Sequence, residues 1–211
     1  MIGTGDGSCP PMKAGCRIEA EEGHTAIPKG TEELRLRVQQ LSLREQIERN
    51  HFLLMRLNAA NARLSQSLEQ GDVFEAIAEI IANLIGSEEV AMFDYHPAEH
   101  IFSLAWSSGV EADALQPFLC GAGMFGRAVA QGISQFRERQ PETALLPHEK
   151  NLTACIILKS SGEIVGVIGI FGLLPQKNNL EWADFELLKF LETYGAVAIK
   201  FQRLQGNQVS Q

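Results

Sequence analysis

The stretch TACIILKSSGEIVGVIGIFGL, Thr153 to Leu173, decides how the chain is read. Two runs rich in isoleucine and valine, Thr153 to Leu158 and Glu163 to Leu173, flank the polar loop Lys159-Ser160-Ser161-Gly162. Side chains branched at Cβ crowd a helix but sit well on a pleated surface, and a short loop closed by glycine returns the second run beside the first. The stretch therefore predicts a pair of central antiparallel strands.

Working back toward the N-terminus, Glu89 to Tyr95 and Ile101 to Ser107 have the same β character. The turn-forming segment His96-Pro97-Ala98-Glu99-His100 joins them, so they are expected to form a hairpin. Ala112 to Val129 has a helical pattern interrupted by glycine, and Ile133 to Arg137 reads as a short strand. Beyond the decisive stretch, Leu180 to Leu204 places Trp182, Phe185, Leu188, Phe190, Leu191, Tyr194, Val197, Ala198 and Phe201 on the apolar flank of a closing helix. Ahead of the hairpin, Val73, Phe74, Ile77, Ile80, Ile81, Leu84 and Ile85 line one face of a helix capped by Asp72 and ended by Gly86. This order predicts an α+β domain, an antiparallel sheet with helices packed on one face.

The N-terminal third has a different composition. Glycine and proline disappear from Thr31 to Gln70, and Leu, Glu, Gln, Arg and Ala dominate, which predicts one long helix with Thr31 as its N-cap and Glu32 and Glu33 in its first turn. Leu43, Ile47, Asn50, Leu54, Leu57, Asn61, Leu64 and Leu68 follow in steps of four and three, the spacing of a left-handed coiled-coil seam. Leu34, Val38 and Leu41 continue the steps in another phase, so a stutter is expected near Leu41 to Leu43. Such a stripe must meet a partner helix or fold back on the domain, and Asn50 and Asn61 within the seam favour a parallel homodimer held in register. The expected organisation is a tail over 1–30, a dimerisation helix over 31–70, a domain over 71–204 and a second tail over 205–211.

With 211 residues and 45% hydrophobic content, the chain can bury one sizeable core plus a helical arm. A net charge of −8 provides no basic field for nucleic acid or anionic lipid, so neither is an expected partner. The apolar runs are too short and interrupted to insert in a membrane, and residues 1–29 lack the apolar centre of a signal peptide, so the expected location is the cytoplasm. There the four cysteines, Cys9, Cys16, Cys120 and Cys155, are expected as thiols. Neither the Cys9 and Cys16 spacing nor the His96 and His100 pair supplies a full ligand set, so no metal is expected. Gly121, Gly123 and Gly126 spell a dinucleotide fingerprint but lack the parallel βαβ unit that such a loop serves, and they read better as a glycine-rich entry to a helix.

Over roughly Ser65 to Leu204 the chain resembles the GAF family of sensory domains. The resemblance is carried by Gly121-Ala122-Gly123-Met124-Phe125-Gly126-Arg127-Ala128-Val129 through Gly132, by the paired strands Ala154 to Leu158 and Gly162 to Ile170, and by Trp182 to Leu191 with Ala196-Val197-Ala198-Ile199. It implies a GAF-like sheet behind a coiled-coil helix, and a sensory or signalling role without catalysis. The chain departs from the family's nucleotide and bilin binders, having only Glu138 to Asn151 where they have a longer helical segment, which argues against a deep pocket. It also lacks the Asn-Lys-Phe-Asp-Glu constellation of the cyclic-nucleotide members and a cysteine in a bilin-attachment setting. No cofactor is identified.

The expected function is that of a dimeric module that binds a small ligand, a separate signalling protein, or both, and passes its state through its helices. Candidate ligand residues are Phe93, Tyr95, Trp106, Cys120, Met124, Phe125, Phe136 and Cys155, with Arg127 as a charged anchor. The plainer reading makes most of them core. Two alternatives stand beside it: a pocketless scaffold of the same fold, and a redox enzyme of the methionine sulfoxide reductase type using Cys120 and Cys155.

Overall fold

The computed structural model describes residues 29–111, 115, 117–121, 123–137 and 145–209. The N-terminal tail with Cys9 and Cys16 lies outside them, as do residues 138–144 of the Glu138 to Asn151 segment. Helix α1 spans Lys29–Gln70, α2 spans Val73–Ile80, and a single π-helical turn, Ile81–Ile85, continues α2 to Gly86. Strands β1 (Val90–His96) and β2 (Ile101–Ser108) form the expected hairpin. They are followed by β3 (Phe118–Leu119), α3 (Gly123–Gln131) and β4 (Gln135–Phe136). A short 3-10 turn, Pro147–Glu149, leads into the decisive pair, β5 (Ala154–Ser160) and β6 (Glu163–Ile170), and α4 (Trp182–Val209) closes the chain.

The six strands form one antiparallel sheet in the order β3-β2-β1-β6-β5-β4. Alternation along each strand sends neighbouring side chains to opposite faces. Val90, Met92, Ile156, Leu158 and Ile168 face a core shared with α2, α4 and the later part of α1. Ala91, Phe93, Cys155, Ile157 and Val167 face a second core closed by α3.

Several local expectations change. Thr31 lies inside the first turn of α1 rather than at its cap, because the helix already includes Lys29. Asp72 makes no side-chain cap bond at α2, and its Oδ2 pairs with Arg63 at 2.8 Å. Of the stretch Ala112 to Val129, read as helical, the part from Gly123 is helix and Phe118–Leu119 pairs with Ile101 and Phe102 as a strand, while residues 112–114, 116 and 122 lie outside the described residues. The last helix continues to Val209, past the expected boundary at Leu204.

The chain divides into two compact units within α1, Met1–Glu45 and Gln46–Gln211. In the first, Leu34, Leu36, Val38, Leu41 and Leu43 are exposed, and Arg37 pairs with Glu33 one turn away. In the second, the expected seam splits. Leu64 is buried and Leu57 and Leu68 pack against the core of their own chain, whereas Ile47, Asn50, Leu54 and Asn61 remain exposed.

Candidate functional site

The face of the sheet under α3 gathers Phe93, Tyr95, Cys120, Met124, Phe125 and Cys155 into one apolar cluster. Gly121 and Gly123 take φ of 97° and 64°, and a Cβ at Gly126 would overlap the backbone of Gly121, so the glycines form a tight turn into α3. The turn presses Phe125 onto the sheet. Its ring lies 5.1 Å from Phe93 and 5.1 Å from Phe118, and Phe118 stacks on Phe102 at 4.8 Å. Phe93, Met124, Phe125 and Cys155 are each at most 2% exposed. Aromatic packing of this density fills the space a ligand would need.

One carboxylate lies inside this cluster. Glu149 is fully buried, and its Oε1 accepts from the backbone N–H of Phe125 at 2.9 Å while its Oε2 accepts from that of Leu146 at 2.8 Å. Phe125 is in the first turn of α3, where N–H groups have no helical acceptor and negative charge is favoured. A Cβ at Gly123 would overlap the carboxylate, so the missing side chain makes room for Glu149. Burial pushes the Cys155 thiol well above its ordinary pKa, and the charge of Glu149 adds to the shift, so the thiol stays protonated at neutral pH. Cys120 follows β3 at one sheet edge and Cys155 lies in β5 near the other, and both are free thiols.

The remaining candidates lie elsewhere. Trp106 and Phe136 pack against the opposite core, and Arg127 is half-buried on α3. Phe136 meets Phe185 edge-on at 4.9 Å and lines an open cleft of about 410 Å³ between the β4–β5 edge and α4, with Ser134, Lys159, Lys189 and Glu192 at its rim. Trp106 lines another cleft, of about 460 Å³, with Glu75 and Glu88. His96 bonds Ser103 and His100 meets Tyr95, so the two histidines have separate partners. Among the described residues, no group of three or more His, Cys, Asp or Glu side chains is placed to hold a metal.

Sequence reasoning missed the polar clasp on the α4 face. Asp184, fully buried, receives Arg56 of α1 on Oδ1 at 2.6 Å, and receives Lys177 and the Glu181 N–H on Oδ2 at 2.6 and 2.7 Å. Arg56 and Lys177 also donate to the carbonyls of Leu84 and Ile85 at the end of the π turn. All three charges are thereby paired, and three segments meet at one carboxylate. The one sequence signal was Asp184 in the first turn of α4, a favoured place for an acid.

No family model and no curated protein matches the sequence. Solved structures do. The GAF domain of a phosphoenolpyruvate-protein phosphotransferase from Coxiella burnetii superposes with a TM-score of 0.59 and 15% identity, over 74% of this chain and 96% of that one. The GAF domain of a two-component sensor histidine kinase from Bacillus halodurans superposes at 0.51 with 16% identity, over 64% and 96%. Free methionine-R-sulfoxide reductase from Neisseria meningitidis superposes at 0.56 with 16% identity, over 72% and 93%. The chain has the GAF-domain fold.

Proposed function

We propose that this GAF-fold chain is a non-enzymatic, cytoplasmic signalling module that works as a homodimer and passes its state through its helices to a separate protein. The observation that carries the reading is the stripe left uncovered on α1, where Ile47 and Leu54 are 59% and 58% exposed at coiled-coil spacing around Asn50. Apolar side chains repeated in that spacing need a helix to cover them, and a second copy supplies one with the same repeat. The likeness to GAF domains from a phosphotransferase and a sensor kinase supports the signalling half, and no described helix is long and apolar enough to cross a membrane. The protonated, enclosed Cys155 supports the non-enzymatic half, although the same fold serves a reductase.

A small ligand fits this reading at the cleft beside Phe136, which has an apolar floor and a charged rim. The ring packing around Phe93 and Phe125 favours a second reading, a pocketless scaffold of the same fold acting through its surfaces. Native mass spectrometry of the full chain separates them. A dimer with added mass supports the ligand-binding module, a dimer without it supports the scaffold, and a monomer overturns the dimeric half of both. In the Ile47→Glu/Leu54→Glu double variant, like charges would sit in the seam, and the dimer should weaken by about a hundredfold, or about 2.7 kcal/mol. Leu57 is unsuitable for that test because it packs in its own core.

A further inference from the structure

Strand β4 begins at Gln135, opposite Cys155, so β5 runs on beyond it from Ile156. The cleft beside Phe136 opens there, between the sheet edge and α4, and its volume of about 410 Å³ falls inside the range of roughly 300–1,000 Å³ typical of small-molecule sites. Ile156 and Leu188 line it and are at most 1% exposed, and the rings of Phe136 and Phe185 meet edge-on beside them.

Two opposite charges line this cleft without meeting. Lys159 of β5 is half-buried, and its ammonium donates to the Gly132 carbonyl just past the end of α3. Glu192 of α4 is half-buried, and its Oε1 accepts from the Ser134 hydroxyl, which in turn accepts the Ile157 N–H at 3.0 Å. Among the described residues neither side chain makes an ion pair; each is turned to a neutral partner. An ammonium has three donors and a carboxylate about four acceptor positions, so both keep capacity for a further bond. Glu186 and Lys189 add one charge of each sign, and the lining is neutral as a whole. A phosphate or a polyamine, charged with one sign only, would meet repulsion there as well as attraction.

We propose that the cleft binds a small zwitterion with an apolar body, of the class of an α-amino acid with an aromatic side chain. Its carboxylate meets Lys159, its ammonium meets Glu192, and its ring lies over Ile156 and Leu188 against the two phenylalanines. This deepens the reading of the cleft as a ligand site and rests on it. The site is on the face of the sheet away from α3, so the ring packing around Phe93 and Phe125 does not close it. An occupant held at both ends joins β5 to α4, the helix to which the signalling role assigns transmission.

The test titrates the full chain, by ligand-observed NMR at pH 7, with three probes that share one phenyl group: L-phenylalanine, 3-phenylpropanoate and 2-phenylethylamine. L-Phenylalanine should bind at least tenfold more tightly than either singly charged probe, because each of those leaves one end of the cleft unanswered. Lys159→Met should bring L-phenylalanine down to the level of 2-phenylethylamine, and Glu192→Gln to that of 3-phenylpropanoate. Lys189→Met, at the exposed rim, should weaken L-phenylalanine in the same direction by less, and replaces Lys159→Met if that variant proves unstable. A singly charged probe that binds as well as L-phenylalanine, and is weakened by these substitutions, would overturn the zwitterion and leave the cleft a ligand site. Binding of L-phenylalanine that is indifferent to all three substitutions would overturn the site. If none of the probes binds, native mass spectrometry separates the two readings: added mass that Lys159→Met or Lys189→Met removes would sink only the ligand class, and a chain without added mass would sink both.

Discussion

The two faces of the sheet are built from alternate residues of the same strands, yet they are closed by different means. Under α3, interlocked rings fill the space and one carboxylate, Glu149, meets two backbone N–H groups. Under α1, α2 and α4, aliphatic side chains form the core, and a three-charge clasp centred on Asp184 ties the helices together. Packed rings tolerate little movement, because displacing one leaves voids beside several others. An ion-paired clasp instead holds separate segments at one point and leaves open clefts beside it. The difference separates a half packed rigidly by rings from a half whose helices are tied at a buried charged point.

The largest effect should come from breaking the clasp. Asp184→Ala leaves the buried Arg56 and half-buried Lys177 without their counter-charge and should cost about 3–5 kcal/mol in urea unfolding. A loss below about 1 kcal/mol would mean that the clasp does not hold that face together. Glu149→Ala tests the other face, since it orphans the N–H groups of Phe125 and Leu146 and should cost about 1–3 kcal/mol. If Asp184→Ala proves the milder substitution, Glu149 and not the clasp is the stronger polar tie of the domain.

The smallest effect lies at the α1–α2 junction, where the Arg63 side chain bonds Asp72 and holds its carboxyl below its usual pKa. A depressed acid adds stability above its unfolded pKa and loses it as pH falls through the folded value. The contribution should be present at neutral pH and fade below about pH 4. Asp72→Asn should remove that acid-side slope at a cost under about 1 kcal/mol, because the pair is partly exposed. An unchanged slope between pH 5 and pH 2 would remove Asp72 from the account.

The parts of the fold that could be read in the sequence were those encoded by neighbours. The β5–β6 pair follows from dense branched side chains around Ser161-Gly162, and the α2 face from its apolar spacing. Phe118–Leu119 was missed because two residues carry no period, and only their pairing with Ile101 and Phe102 makes them a strand. Ile47 and Leu64 have equivalent seam spacing, so spacing alone did not reveal that Leu64 belongs to the core and Ile47 to the surface. The ring cluster was visible as a list of aromatics, but whether they line a space or fill it is decided by the turn at Gly121 to Gly126. Arg56 and Asp184, 128 positions apart, left no local pattern to join them.

The placement of Asp184 also has a mechanical consequence. It sits in the first turn of α4, so the load passed between the later part of α1 and α4 enters at one end of a 28-residue rod. Some 30 Å further along, at 1.5 Å per residue, the same helix is tied again, where Gln202 donates to the Gly71 carbonyl and Lys200 and Arg203 pair with Glu163 and Asp94, so a push entering at Asp184 is handed on to the end of α1 and to the sheet.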